Sequence, residues 1–113
     1  AWKEARKLAG VIYDISDGGQ FSKDFSLRNQ IRSASVSIMS NIAEGFDRNS
    51  DRELSQFLVI ARASASEVKS QLYVALDRRY IKDSEFKAIY EQATKVISLI
   101  NGFIRYLKKP RRT

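Results

Sequence analysis

The chain has 113 residues, carries 20 Lys plus Arg against 13 Asp plus Glu for a formal charge of +7, and contains neither Cys nor His. Without a thiolate or an imidazole, the commonest nucleophiles, general bases and transition-metal sites are excluded, as is any disulfide framework. One Pro and five Gly leave long stretches that nothing interrupts, and the length fits one domain over residues 1–113 rather than two.

From the N-terminus, Ala5, Leu8, Ile12 and Ile15 recur at spacings of three and four, which places them on one face of a helix over about residues 2–17. Asp17-Gly18-Gly19 ends that helix, and a connection runs through about Asp24. Leu27, Ile31, Ala34, Ile38, Ile42 and Gly45 form a second stripe, for a helix over about 25–45 with Gly45 as its C-cap. Ser50 and Glu53 have the spacing of a capping box, so a third helix begins there and covers about 51–79. Its seam of Leu54, Leu58, Ala61, Ala65, Val68, Leu72 and Ala75 keeps a four-three alternation for three heptads. Such a helix is about 43 Å long, which predicts a rod-like molecule. After Tyr80-Ile81, with Asp83 as the cap, Phe86, Tyr90, Ala93, Ile97, Ile100, Ile104 and Leu107 mark a fourth helix over about 83–108. Seams near a 3.5-residue period and short connections predict an all-α, up-down antiparallel four-helix bundle with a left-handed twist.

The positive charge attracts a polyanion, although a charge of this size also serves solubility alone. Arg28 and Arg32 lie one turn apart and are expected to face solvent together. Arg48 and Arg52 bracket the start of the third helix, whose free amides favour an anion, while Asp47, Asp51 and Glu53 compete for the same cations. The densest basic segment follows Ile104: Arg105, Lys108, Lys109, Arg111 and Arg112, with no acid among them and Pro110 ending the helix. The helix macrodipole by itself also favours cations there.

A polar stripe of Gln30, Ser37, Asn41 and Glu44 runs beside the second seam, and Ser64, Glu67 and Gln71 make a similar one on the third helix. Folding these helices back on each other brings Gln30 level with Glu67 and Asn41 level with Phe57. Hydrogen bonds that fix register or a subunit contact are expected here. The carboxylates Glu44 and Glu67 have no accompanying base or metal-ligand cluster, so no catalytic residue, cofactor or metal is assigned. No apolar run approaches the roughly 20 residues that span a bilayer, and the absence of Cys fits the cytoplasm.

The block Gln30-Ile31-Arg32-Ser33-Ala34-Ser35-Val36-Ser37-Ile38-Met39-Ser40-Asn41-Ile42-Ala43-Glu44-Gly45, followed by Arg48-x-Ser50-x-x-Glu53 and Phe57-Leu58-x-Ile60-Ala61-x-x-Ser64, resembles the bacterial four-helix-bundle proteins of 23S rRNA intervening sequences. These are also called S23-type ribosomal proteins. The chain departs from the pattern at Met39, where Pro is usual, and at Arg78-Arg79-Tyr80, where Leu-Gly-Tyr is typical; neither change is expected to disturb the fold. The resemblance implies a ring-like homo-oligomer, commonly a pentamer, encoded within 23S rRNA genes. It also implies a relative that serves reverse transcriptases of retroelements as an accessory protein. The expected function is that of a non-enzymatic, nucleic-acid-associated bundle, with RNA favoured over DNA. The alternatives are a reverse-transcriptase accessory subunit or a purely structural oligomer.

Overall fold

The computed structural model describes residues 1–110, and every regular element among them is a helix. Helix α1 covers Trp2–Ile15, α2 Gly19–Lys23, α3 Phe25–Phe46, α4 Asp51–Asp77 and α5 Asp83–Lys108. The four long helices form a bundle of 55 × 22 × 18 Å in which α3 packs most extensively on α4, α4 on α5, and α1 against both α3 and α5. Cross-helix pairs run in opposite senses along α3 and α4: Ser37 meets Ser64, and Gly45 meets Leu54 and Phe57. This is the antiparallel order that short connections impose.

The core is the set of four apolar seams. Ala5, Leu8 and Ile12 of α1, Ile31, Ile38 and Ile42 of α3, and Leu58, Ala61, Ala65, Val68, Leu72 and Ala75 of α4 are almost wholly withdrawn from solvent. On α5 the buried series is Ile89, Ala93, Val96, Ile100 and Ile104. It is shifted from the one expected, since Phe86, Tyr90, Ile97 and Leu107 are only half-buried at its flanks. The sequence of α5 offers two overlapping helical-period stripes, and the side on which α4 packs decides between them. Phe86 and Tyr90 turn instead toward Tyr73 of α4, with ring centroids 4.9 and 5.6 Å away.

The connection after α1 holds a fifth helix that one hydrophobic residue could not signal. α2 is a single turn that buries Phe21 beneath Tyr80, 5.4 Å between ring centroids. The Tyr80 hydroxyl then donates to Asp24 Oδ2 at 2.9 Å, while Asp24 Oδ1 accepts from the Leu27 amide and caps α3. At the start of α4 the Ser50 hydroxyl accepts from the Glu53 amide at 3.1 Å, as the spacing predicts. At the start of α5 the cap position belongs to Lys82, one residue before Asp83, and the Lys82 amide donates to Glu85 Oε1.

One position here corrects the sequence reading. Gly45 is not a C-cap: α3 continues through Phe46, and a Cβ at Gly45 would lie 2.9 Å from Leu54 Cδ1 and 3.0 Å from Phe57 Cβ. The glycine is there because the helices approach too closely for a side chain. Met39 sits within an unbroken α3, where a Pro would remove a backbone donor. Arg79 is a less neutral replacement. α4 ends in a Schellman turn, with the Tyr80 amide on the Ala75 carbonyl and the Arg79 amide on the Leu76 carbonyl, both at 2.9 Å. Arg79 occupies the left-handed position at φ 61, which an L-residue adopts at a cost of about 1 kcal/mol and a glycine does not.

Arg79→Gly is therefore expected to stabilise the fold by about 0.5–1 kcal/mol, raising the thermal midpoint by a few degrees in calorimetry. Gly45→Ala should do the reverse, losing about 1–3 kcal/mol in denaturant titration because the overpacking at Leu54 and Phe57 exceeds the gain in helix propensity.

Candidate nucleic-acid interface

The up-down order brings two chain segments to one end of the rod: the α3–α4 turn and the end of α5. Arg105, Lys108 and Lys109 stand exposed on and just after the last turn of α5, and residues 101–109 contain no acid. None of the three enters a salt bridge among the described residues. Lys108 faces Arg52 across a shallow groove completed by Asp51, Ser55, Gln56, Val59 and Leu107. Arg111 and Arg112 lie outside the described residues. Lys3, Arg6 and Lys7 are exposed on the first turns of α1, where Glu4 pairs with Lys7 at 3.9 Å and, across to the middle of α5, with Lys95 at 3.8 Å.

Arg28, Arg32 and Arg48 are engaged by the protein's own groups. Arg32 does not stand in solvent. Its Nε donates to Ser16 Oγ at 2.8 Å, its Nη2 donates to the Tyr13 carbonyl at 3.3 Å, and its guanidinium lies 4.6 Å from the centre of the Tyr13 ring. It thus satisfies the carbonyl end of α1, where a cation also complements the helix dipole. Arg28 donates to the Ser22 carbonyl at 3.0 Å and covers Phe25, which ties α2 to α3. Arg48 reaches back one turn to Glu44 rather than to Asp47, Asp51 or Glu53, and its guanidinium lies over Phe57. Of the four arginines in the first two pairs, Arg52 alone lines an open groove at the basic end.

The polar stripes meet as expected, though through fewer residues. Gln30 and Glu67 line one groove with Ser33, Ser37 and Ser64 between α3 and α4, so their levels agree. The bond that crosses the helices is Ser37 Oγ to Ser64 Oγ at 3.0 Å, and Asn41 Nδ2 supports it by donating to the Ser37 carbonyl and hydroxyl at 2.8 and 3.0 Å. Gln30 donates to Ser26 of its own helix instead, and Gln71 Oε1 is buried without a partner among the described residues. Another cross-helix bond escaped the sequence reading: Arg62 Nη1 donates to Asn101 Oδ1 at 2.8 Å and joins α4 to α5. No periodicity marks such a pair, because both residues lie at the edge of their seams.

An all-helical bundle with apolar seams and a basic end defines the class of protein. The chain belongs to the 23S rRNA-intervening sequence protein family, whose model matches residues 1–102. A crystal structure of a protein of unknown function from the S23 ribosomal protein family of Bacteroides thetaiotaomicron superposes with a TM-score of 0.83. The two are 24% identical over 96% of this chain and 98% of that one, a likeness that establishes the fold. No curated protein matches the chain. Among the described residues no helix is long and apolar enough to cross a membrane.

The division of the arginines is measurable. Arg32→Ala should lower the unfolding free energy by about 1.5–3 kcal/mol, since it strips charge-assisted bonds from the end of α1. Arg105→Ala should stay within about 0.5 kcal/mol of the parent in the same urea titration.

Proposed function

We propose that the protein is a non-enzymatic, RNA-associated helical bundle that acts as a homo-oligomer. Its basic end contacts phosphates with little reading of base sequence. The observation that carries this reading is the open cluster Arg105, Lys108 and Lys109, reached across a groove by Arg52 and free of salt bridges among the described residues. Membership of a family named for sequences within 23S rRNA supports RNA over DNA and a bacterial cytoplasmic setting. In a ring, one such cluster per subunit repeats around one rim, so weak contacts add by avidity. Three phosphate contacts per chain predict a fall in affinity of about 40-fold between roughly 50 and 200 mM salt. Filter binding to structured RNA measures this, and a flat salt response, or no binding at the lower salt, rules the reading out.

A second reading, a purely structural oligomer, is favoured by the outward face of α4. Val59, Ile60 and Val74 are 41, 48 and 45% exposed there, and between them lie Ala63, Ser66 and Ser70 together with the charged Glu67, whereas Arg62 and Lys69 of the same stretch reach toward Asn101 and Tyr90 of α5. An exposed strip of small and apolar residues suits contact with another copy of the chain. The expected ring is a pentamer. Light scattering on Ile60→Lys should then give a smaller assembly at unchanged helicity; an unaltered mass would exclude this face.

A further inference from the structure

We propose that the basic end also carries an aromatic shelf on which unpaired bases stack, so that its preferred polyanion is a single-stranded segment rather than a duplex. The inference rests on the polyanion reading above and adds the structural class of the ligand. Phe46 at the end of α3 and Tyr106 on the last turns of α5 are each 56% exposed, more than any other large apolar or aromatic residue except Phe25. The half-buried Phe103 joins them, with ring centroids 5.4 Å from Phe46 and 5.8 Å from Tyr106. Both contacts are edge-to-face, at 78 and 63°. The two outer rings are therefore anchored through Phe103 without being stacked flat upon it.

The cations are interleaved with these rings. Arg105 immediately precedes Tyr106 on α5 and Lys109 follows as the C-cap residue of the helix, while Lys108 turns toward the groove of Asp51 and Arg52. Gly102, one turn before Tyr106, places no side chain between the ring and Arg105, whose Nη2 lies 3.8 Å from where a Cβ would be. The resulting strip runs from aromatic to cation along one side of α5. A polynucleotide needs both partners at this spacing: ring faces for bases and fixed positive charge for the phosphates between them. A duplex hides its base faces in its own stack and can use only the cations.

The test is a fluorescence titration of an oligouridine of about twelve nucleotides and of a paired RNA duplex of the same length, against the full chain. Variants are Tyr106→Ala, Tyr106→Phe, Phe46→Leu and Arg105→Ala. Tyr106→Ala should weaken single-strand binding about tenfold and leave duplex binding unchanged, Tyr106→Phe should restore it, and Phe46→Leu should weaken it in the same selective way. Arg105→Ala should weaken both ligands. If Tyr106→Ala leaves single-strand affinity intact, reduces both ligands alike, or is not rescued by Phe, the shelf is overturned while the polyanion reading stands. If the parent protein binds neither ligand at low salt, both fall.

Discussion

Everything in this molecule depends on how closely α3 and α4 approach. At the α3–α4 turn a Cβ at Gly45 would crowd Leu54 and Phe57, and along the two helices Ala34, Ser35, Ser64 and Ala65 are buried beside the larger Ile and Leu side chains. Small residues let the backbones come together, and the dispersion contacts and apolar burial gained along two long helices hold them there. The Ser37–Ser64 bond, braced by Asn41, then acts as a polar latch within an apolar seam. A bundle sealed by apolar surface alone tolerates slippage by a turn, whereas one hydrogen bond that is satisfied in a single register does not.

That register decides where charge goes. With α3 and α4 fixed, the end of α5 falls beside the α3–α4 turn, and although that turn carries Asp47, Asp51 and Glu53, Arg105, Lys108 and Lys109 enter no salt bridge among the described residues. At the other pole and along the flanks, guanidinium groups close helix ends, cover rings or bridge helices: Arg32 on α1, Arg28 on α2, Arg62 on Asn101. The net charge is thus divided between arginines that act as structural donors and a terminal cluster that remains open. Composition could not make that division, because each residue contributes the same unit charge to the sum.

The Schellman turn after α4 shows the same bundle tolerating local cost. Its two backbone bonds are formed even though Arg79, with φ 61, holds the position that glycine suits best. Burial of Tyr80 on Phe21 and its bond to Asp24 lie directly beyond that turn. Tertiary contacts of this kind outweigh a penalty of about 1 kcal/mol and keep the chain direction needed to start α5.

The sequence by itself determined the four long helices, three of the four seams, the Ser50 cap and the level of Gln30 with Glu67, because helical periodicity and capping chemistry are local and repeat every turn. The residues Ile12, Ile38, Leu58 and Ala65 could be assigned to the core without knowing what they touch. Only the tertiary structure decided what depends on a neighbour. It chose Ile89 and Val96 over Phe86 and Ile97 on α5, and it folded Phe21 into a short helix. It made Gly45 a contact instead of a cap, turned Arg32 inward and left Arg105 outside. In each case the side chain's own chemistry allows both outcomes, and the surface packed against it selects one.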